Sequence, residues 1–508
     1  MANFREQLSS VGRMFNKTLA FSVALIAISQ FNFGFDQQAY STTQAMDHFE
    51  RQFGTYSEKL GRYTIEPYEL SLLNSLPYLG FVLGLLTGSE MSARYGRRIV
   101  MFVMSIYALC TAAITFSSRS FAQILAARIL NFPVFQSEIV PKQVRGLVVE
   151  TYQLMLYLGG FIMSLICFGT EKFDDNRQWQ IPFGMFFIIP TIVATAIWFI
   201  PESPRWLLLK GREEEAVASL RKLRDGCFTN EEIDKEMDGL RIILAQEEDK
   251  GTFMDLWKPI NMKRTLITIG INFFLQLTGN IFANKYGTVY IKSLGSVDPF
   301  TMTVINQVVN LFGVVVSMAL VDRVGRRPLL LLGSFIQLAS LYTMAGLGVG
   351  ETSAPIRVGI VAMLTVFGFG FSVGWAPVSH ILSAEIPPTR LRDMTYRTAS
   401  TVNILVQFAT SFSIPYLLNE PYAALGSKVG FIFGSAAVLA AIFAYFCVPE
   451  CNHRTLEEID ELFREGVPVR HFSRVKEITV GGHTFNDGKW DDDENGKATV
   501  VTVNSRIS

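Results

Sequence analysis

Residues 322–327 read DRVGRR and residues 94–98 read RYGRR, and each stretch sits between two long apolar runs. The runs 70–89 and 99–117 flank the first, and 300–321 and 328–349 flank the second. A basic turn this short between runs this long reads as a pair of membrane helices joined by a cytoplasmic hairpin. Working outward, the same kind of run recurs at 19–39, 121–137, 147–168 and 182–200, and again at 265–284, 356–380, 398–418 and 428–448. Twelve crossings result. The runs are nearly continuous and show no ten-residue alternation, which predicts helices and excludes a β-barrel. Composition agrees. Hydrophobic residues make up 49% of the 508 and charged residues only 18%, against about 25% in soluble domains.

The two basic turns belong to a larger repeat. SEIVPKQVR at 137–145 is similar to AEIPPTRLR at 384–392, and PESPRW at 201–206 to PECNHR at 449–454, each pair about half the chain apart. A six-plus-six repeat is a known build for secondary transporters, with the substrate held between the repeats near mid-membrane. The expected organisation is a six-helix bundle at 1–200, a cytoplasmic helical linker at 201–264, a second six-helix bundle at 265–448 and a cytoplasmic tail at 449–508. Disorder is expected in the tail from about 470. Lys and Arg gather in the turns after even-numbered spans and in 201–264, which places both termini in the cytoplasm. The Arg-x-Gly-Arg-Arg turns lie closer together than the other repeated pairs. Spans three and four therefore share only residues 99–137, barely two crossings at 1.5 Å per residue, and span four is predicted to be short, tilted or broken.

Other classes fall away. Lysine plus arginine equals aspartate plus glutamate at 45 each, so no basic field invites nucleic acid. The five cysteines form no C-x-x-C, which leaves neither a zinc cluster nor a disulfide framework. The N-terminus lacks a signal-peptide layout. No phosphate-cradling glycine loop and no nucleophile with its partners is present, so the protein is not expected to be an enzyme or to carry a cofactor or metal.

Taken together, RYGRR, EIVPKQVRG, PESPRWLLLKGR, DRVGRRP, AEIPPTRLR and PECNHRTLEEI, in this order over roughly 90–460, resemble the sugar porter family of the major facilitator superfamily. Span seven, QLTGNIFANKYGTVYIKSLG, resembles fungal hexose and disaccharide permeases. The resemblance implies an all-α membrane protein with the major facilitator fold, built from two six-helix bundles. It implies a secondary active transporter that moves a sugar by alternating access with proton symport. Its partners would be a sugar or polyol, a proton and the lipid bilayer; the protein would be a multi-pass monomer of the plasma membrane. Two alternatives stand beside it: a transporter of another polyol or secondary metabolite, and a non-transporting sugar sensor.

Site residues follow from chemistry and resemblance together. Arg94, Arg97, Arg98, Arg145, Arg323, Arg326, Arg327 and Arg392 can pair with Glu138, Glu202, Glu385 and Glu450 at the cytoplasmic helix ends. Such a network can act as a gate; the other reading is a set of solvated topology signals. Asp36, late in span one, is a carboxylate at membrane depth and a functional candidate by default, unless it lies hydrated at the interface. The resemblance gives it proton coupling and Arg128 of span four as its partner. It also gives sugar contacts to Gln153, Gln276, Asn310 and Gln407, whose amides can both donate to and accept from hydroxyls. Trp375 is a candidate for stacking on the sugar ring. His380 stands where many sugar porters carry Trp, and is either a substrate contact or a hydrogen-bonded helix-end residue. Leu275, Ile281 and Lys285 depart from the family's usual Gln, Asn and Tyr, which speaks against plain glucose.

Overall fold

The structure is a computed structural model that describes residues 17–58, 61–131, 145–226, 228–246, 251–350, 353–452, 454–475, 477–480 and 483–486. Helices dominate it. Among the described residues, nine helices are long and apolar enough to cross a membrane. They correspond to spans one, three, five, six and eight to twelve. Several run past their apolar cores, as in Lys17–Thr43 and Arg392–Leu418, because polar residues at the ends continue the helix without breaking it.

The other three spans are interrupted or short. Span two divides at Leu76 into Pro67–Ser75 and Pro77–Tyr95, where Pro77 lacks the amide hydrogen that a continuous helix needs. Span seven is three pieces: Pro259–Leu277, Asn280–Lys285 and Gly287–Leu294. Gly279 takes φ +96° at the first break, a conformation that a side chain would resist. The described helix of span four is only Phe121–Asn131, and the rest of that predicted run lies outside the described residues.

Contacts divide the chain into two compact units. Unit one holds Met1–Lys250 with Asn284–Val308 and Ser411–Ala424. Its tightest seam joins span one to Arg145–Thr170 of span five. A Cβ on Gly34 would lie 1.8 Å from the carbonyl oxygen of Leu156, and one on Gly159 would lie 2.0 Å from that of Phe31. Small residues of this kind let membrane helices approach backbone to backbone. Replacing either glycine by alanine is therefore expected to cost at least about 1–3 kcal/mol through forced backbone movement. Thermal unfolding in detergent checks this, with Gly169→Ala as the control, because a Cβ there meets nothing within 4 Å. An unaltered melting temperature in Gly34→Ala would refute the seam.

Sequence reading missed a small cap in the same unit. Helix Asp47–Phe53 and the antiparallel pair Thr55–Ser57 with Arg62–Thr64 follow span one. Phe49 and Phe53 of this cap bury their rings against Trp179 at the start of span six. The linker helices Pro204–Leu209, Glu213–Arg224 and Asn230–Gln246 share a small core of Leu207, Ala216, Leu220, Ile233 and Met237.

Unit two holds Gly251–Ala283, Val309–Thr410 and Leu425–Ser508. Its close seam lies between Gly333 of span nine and span ten, where a Cβ would fall 2.8 Å from the Gly370 carbonyl oxygen. Span ten breaks at Gly374, between Ala354–Val373 and Trp375–Glu385. A capping box opens helix Leu456–Arg464, with Thr455 and Glu458 bonded reciprocally. Past Arg464, where disorder is expected from about 470, a short helical turn, Val469–Arg474, is described. Phe472 and Val475 are buried, and Arg454 donates to both their carbonyls, at 2.6 and 2.7 Å. An antiparallel strand pair, Glu477–Val480 with His483–Asn486, follows. Two apolar anchors, too few to register as a pattern in the sequence, hold this stretch.

Candidate functional site

Asp36 is buried, at 2% exposure, so the reading that places it hydrated at an interface is excluded. Its Oδ2 accepts from Arg128 Nη1 at 2.6 Å and its Oδ1 from Asn131 Nδ2 at 2.7 Å. Arg128 is 1% exposed and also donates to Gln37 Oε1 at 3.1 Å. Its guanidinium lies 3.9 Å from the Tyr40 ring centroid, a cation–π contact. Thr111 donates to Asn131 Oδ1 at 2.9 Å, and Tyr40 shares a hydrogen bond with Thr115. The sequence pointed to the Asp36–Arg128 pair but not to Asn131, Gln37 or Tyr40. Asn131 was findable: three residues beyond Arg128, it shares its helix face. Buried charges persist when paired and hydrogen-bonded; here Arg128 pairs with Asp36, and Gln37 and Asn131 add hydrogen bonds.

The predicted amides are spread over both units. In unit one, Gln153 is buried on span five. Gln307, which sequence reading missed, donates to Gln38 Oε1 at 2.6 Å. In unit two, Gln276 and Asn310 are buried, and Gln276 Oε1 and Asn310 Oδ1 accept no hydrogen bond among the described residues. Enclosed acceptors of this kind call for a donor, and a sugar hydroxyl can provide it. Gln407 and His380 are half-buried. Trp375 is wholly enclosed and its indole N–H donates to Ser334 Oγ at 2.8 Å. In this conformation its ring packs and presents no open face to a sugar.

The arginine turns show a different chemistry from a simple arginine–glutamate contact. Glu202 accepts from the backbone N–H of Arg97 at 3.0 Å and of Arg98 at 3.1 Å. Glu450 does the same for Arg326 and Arg327, both at 3.0 Å. Each carboxylate thus caps a helix N-terminus, where negative charge is favoured. The glycines follow from that geometry. Gly96 at φ +89° and Gly325 at φ +103° would each put a Cβ 2.7 Å from the capping carboxylate. Arg97 also donates to Ser203 Oγ, and Arg326 pairs with Glu385 at 3.1 Å. Arg94 and Arg323 are exposed and Arg392 is buried. Arg145 begins the helix of span five, and Glu138 lies outside the described residues.

A second cluster of unit one lies at the far end of span one. Lys292 Nζ pairs with Asp47 and Glu50, each at 2.7 Å, and Glu50 is 9% exposed. Burial raises the Glu50 carboxyl from its usual range, against the pull of Lys292. Ser41 donates to the carbonyls of Asn284 and Lys285, Ser71 to that of Phe412, and Tyr286 to that of Ser411. These bonds tie the later pieces of span seven and the end of span eleven to spans one and two.

Glu171, just beyond span five, is pushed up to about 7 by burial and then by the negative charge of Asp298, with Lys172 opposing. A folded-state value above the unfolded one favours the fold fully at pH below the unfolded value, and the benefit fades as pH rises through about 7. Glu171→Gln is therefore expected to raise the melting temperature at pH 8 and to leave it unchanged at pH 4. A variant with the same difference at both values would count against this.

A family model described as "Sugar (and other) transporter" matches residues 22–463. The low-affinity glucose transporter HXT3 of Saccharomyces cerevisiae is 29% identical over 503 residues, covering 94% of this chain and 88% of that protein. Hexose transporter 2 of Kluyveromyces lactis is 28% identical, covering 89% and 83%. Among solved structures, the proton:xylose symporter XylE bound to 6-bromo-6-deoxy-D-glucose aligns with a TM-score of 0.70 at 20% identity, over 88% of this chain and 99% of that one. The partially occluded inward-open form of the xylose transporter XylE from E. coli aligns with a TM-score of 0.70 at 18% identity, over 87% and 100%. These structures share the major facilitator fold with this chain.

Proposed function

The chain belongs to the sugar (and other) transporter family, and from that premise we propose that it carries a sugar across the membrane together with a proton, by alternating access. The observation that carries the reading is the enclosed pair Asp36–Arg128. An ionised pair at this depth persists only while both partners stay in place. When helices shift and the pair separates, the carboxylate loses its counter-charge and takes up a proton instead. Proton occupancy then follows conformation, which is what coupling requires. The names of the hexose-transporting relatives and of the proton:xylose symporter support the same reading.

Gln153, Gln276, Asn310 and Gln407 are the sugar-binding candidates, with His380 at the edge of the set. The bundles at 1–200 and 265–448 are the moving halves, and both termini and the linker face the cytoplasm of a plasma-membrane monomer. The carboxylate-capped arginine turns hold each half's cytoplasmic helix ends rigid while the halves rock. The bonds from Lys292, Ser41, Ser71 and Tyr286 form the extracellular closure. Purified protein in vesicles, given labelled glucose or xylose with and without an inward proton gradient, tests the proposal. Accumulation above the external concentration is expected only with the gradient. Equal uptake without it would overturn coupling, and no movement of either sugar by folded protein would count against neutral-sugar transport.

A second reading, a carrier for a different polyol or metabolite, is favoured by three side chains of span seven. Leu275 and Ile281 are buried apolar groups where the family places amides, and Lys285 adds a cation.

A further inference from the structure

Arg470 lies more than twenty residues past the last span, yet its guanidinium rests on the end of that span. It sits 4.7 Å from the Tyr445 ring centroid and 5.4 Å from that of Phe446, and its Nη2 donates to Tyr445 Oη at 2.8 Å. Arg327, from the second basic turn, lies 5.2 Å from the same Tyr445 ring and donates to the Tyr445 carbonyl at 2.5 Å. One ring therefore carries two guanidiniums by cation–π contact. The tail is held in place to do this. Val469, Phe472 and Val475 are buried, and the rings of Phe463 and Phe472 meet edge-on at 5.0 Å. In the first half of the chain, Arg98 likewise stacks on the exposed Trp198 at 5.3 Å and donates to its carbonyl at 3.2 Å. Among the described residues, no second guanidinium joins it there.

The ring stands at the end of a lipid-facing stripe. Ile432, Leu439, Ile442 and Phe446 are exposed and recur at helical spacing on Gly426–Cys447, a helix long and apolar enough to cross a membrane. Such a stripe meets acyl chains, and Tyr445 at its end marks headgroup depth, where tyrosine is favoured. Among the described residues, neither Arg327 nor Arg470 forms an ion pair, because the carboxylates of this region are engaged elsewhere. Asp322 and Glu385 pair with Arg326, and Asp460 with Arg264. The stretch VPVRHFSRVK, 467–476, adds further basic residues and no acid. We propose that Arg327, Arg470 and Tyr445 form a binding site for an anionic phospholipid of the leaflet beside the tail. The two guanidiniums hold its phosphate, whose oxygens suit their planar forks, and its acyl chains lie along the exposed stripe of span twelve. Basic groups next to a membrane helix draw anionic lipid in this way. The bound lipid fastens the tail to the membrane surface. Through Arg264, which donates to the Ile386 carbonyl at 2.8 Å and pairs with Asp460, it also braces the near ends of spans seven and ten.

The purified full chain is measured in detergent micelles carrying phosphatidylcholine alone, or phosphatidylcholine with about one part in five of phosphatidylserine. Native mass spectrometry counts the lipid retained, and thermal unfolding gives the melting temperature in each. The parent is expected to retain phosphatidylserine in preference to phosphatidylcholine and to melt higher with it. Arg470→Gln is expected to weaken that retention at least about fivefold, the share of one arginine at a charged surface. Arg464→Gln, which removes one exposed charge from the same tail, is expected to keep it. Equal retention of the two lipids by the parent overturns the site, and so does retention in Arg470→Gln that matches the parent. Equal losses in the two variants assign the effect to net charge and overturn it too. The same rise in melting temperature from inorganic phosphate, with phosphatidylcholine alone, assigns the site to a free anion and not to a lipid. Should Arg470→Gln not fold, Tyr445→Leu carries the same expectation, because it removes the ring on which both guanidiniums rest.

Discussion

Replacing Arg128 by leucine is expected to lower the stability of the folded protein by about 3–5 kcal/mol, the cost of leaving a buried charge without its partner. The stranded group is Asp36, 2% exposed, which would keep only the bond from Asn131. The loss also includes the contact between the guanidinium and Tyr40 at 3.9 Å, which is worth up to about 2 kcal/mol when desolvated. Adding Asp36→Asn to the same chain should restore a large part of the stability, because the double variant buries no uncompensated carboxylate. Unfolding of the four proteins of this cycle in detergent measures the coupling. If the second substitution brings no recovery, the damage comes from lost volume and not from charge.

Asp36→Asn alone should abolish proton-driven accumulation while sugar exchange between equal concentrations continues. The amide keeps the shape and can still accept from Arg128, but it leaves the buried guanidinium without its counter-charge, so uptake is read on protein that elutes as a single folded species. The amide cannot bind and release a proton at any working pH, so sugar movement no longer consumes the gradient. Uphill uptake should fall to the equilibrium level, a loss of up to about tenfold in accumulation ratio where the parent faces a one-unit gradient and moves one proton per sugar. Counterflow in the same vesicles provides the internal control. Undiminished accumulation would assign coupling to another group.

Legibility in the sequence varied with the kind of force involved. Apolar runs and the two Arg-x-Gly-Arg-Arg turns carried the fold, because a membrane demands long helices and asymmetric loops of any sequence that crosses it. Asp36 was legible for the same reason, since charge at that depth has few explanations; its partner Arg128 came from the family resemblance. Gln38 and Gln307 were not, since an amide in an apolar run is as often a bond between helices as a ligand contact. The breaks in span seven illustrate the limit. Gly279 signals one of them, but Tyr286 carries no local mark, and its hydroxyl bond to the Ser411 carbonyl depends on residues distant in the chain. The Lys292 pairs with Asp47 and Glu50 are of that kind as well. The glutamates of the arginine turns were identified as partners, yet their role as caps to backbone amides emerged only from the positions of Gly96 and Gly325.

The seam between spans one and five makes the protein a stiff beam at the place where stiffness has most effect. Leu156 on one side and Gly34 on the other leave no space for the helices to slide. Gln153 stands about one turn before Leu156, and Asp36 two residues beyond Gly34. On the assignments proposed above, a force that a bound sugar exerts on the Gln153 amide acts on the same tightly packed helix pair that carries Asp36. No chain of intermediate contacts is required to relay it. On the proposed assignments, energy conversion is then a matter of leverage, with cargo and proton held on one closely packed arm.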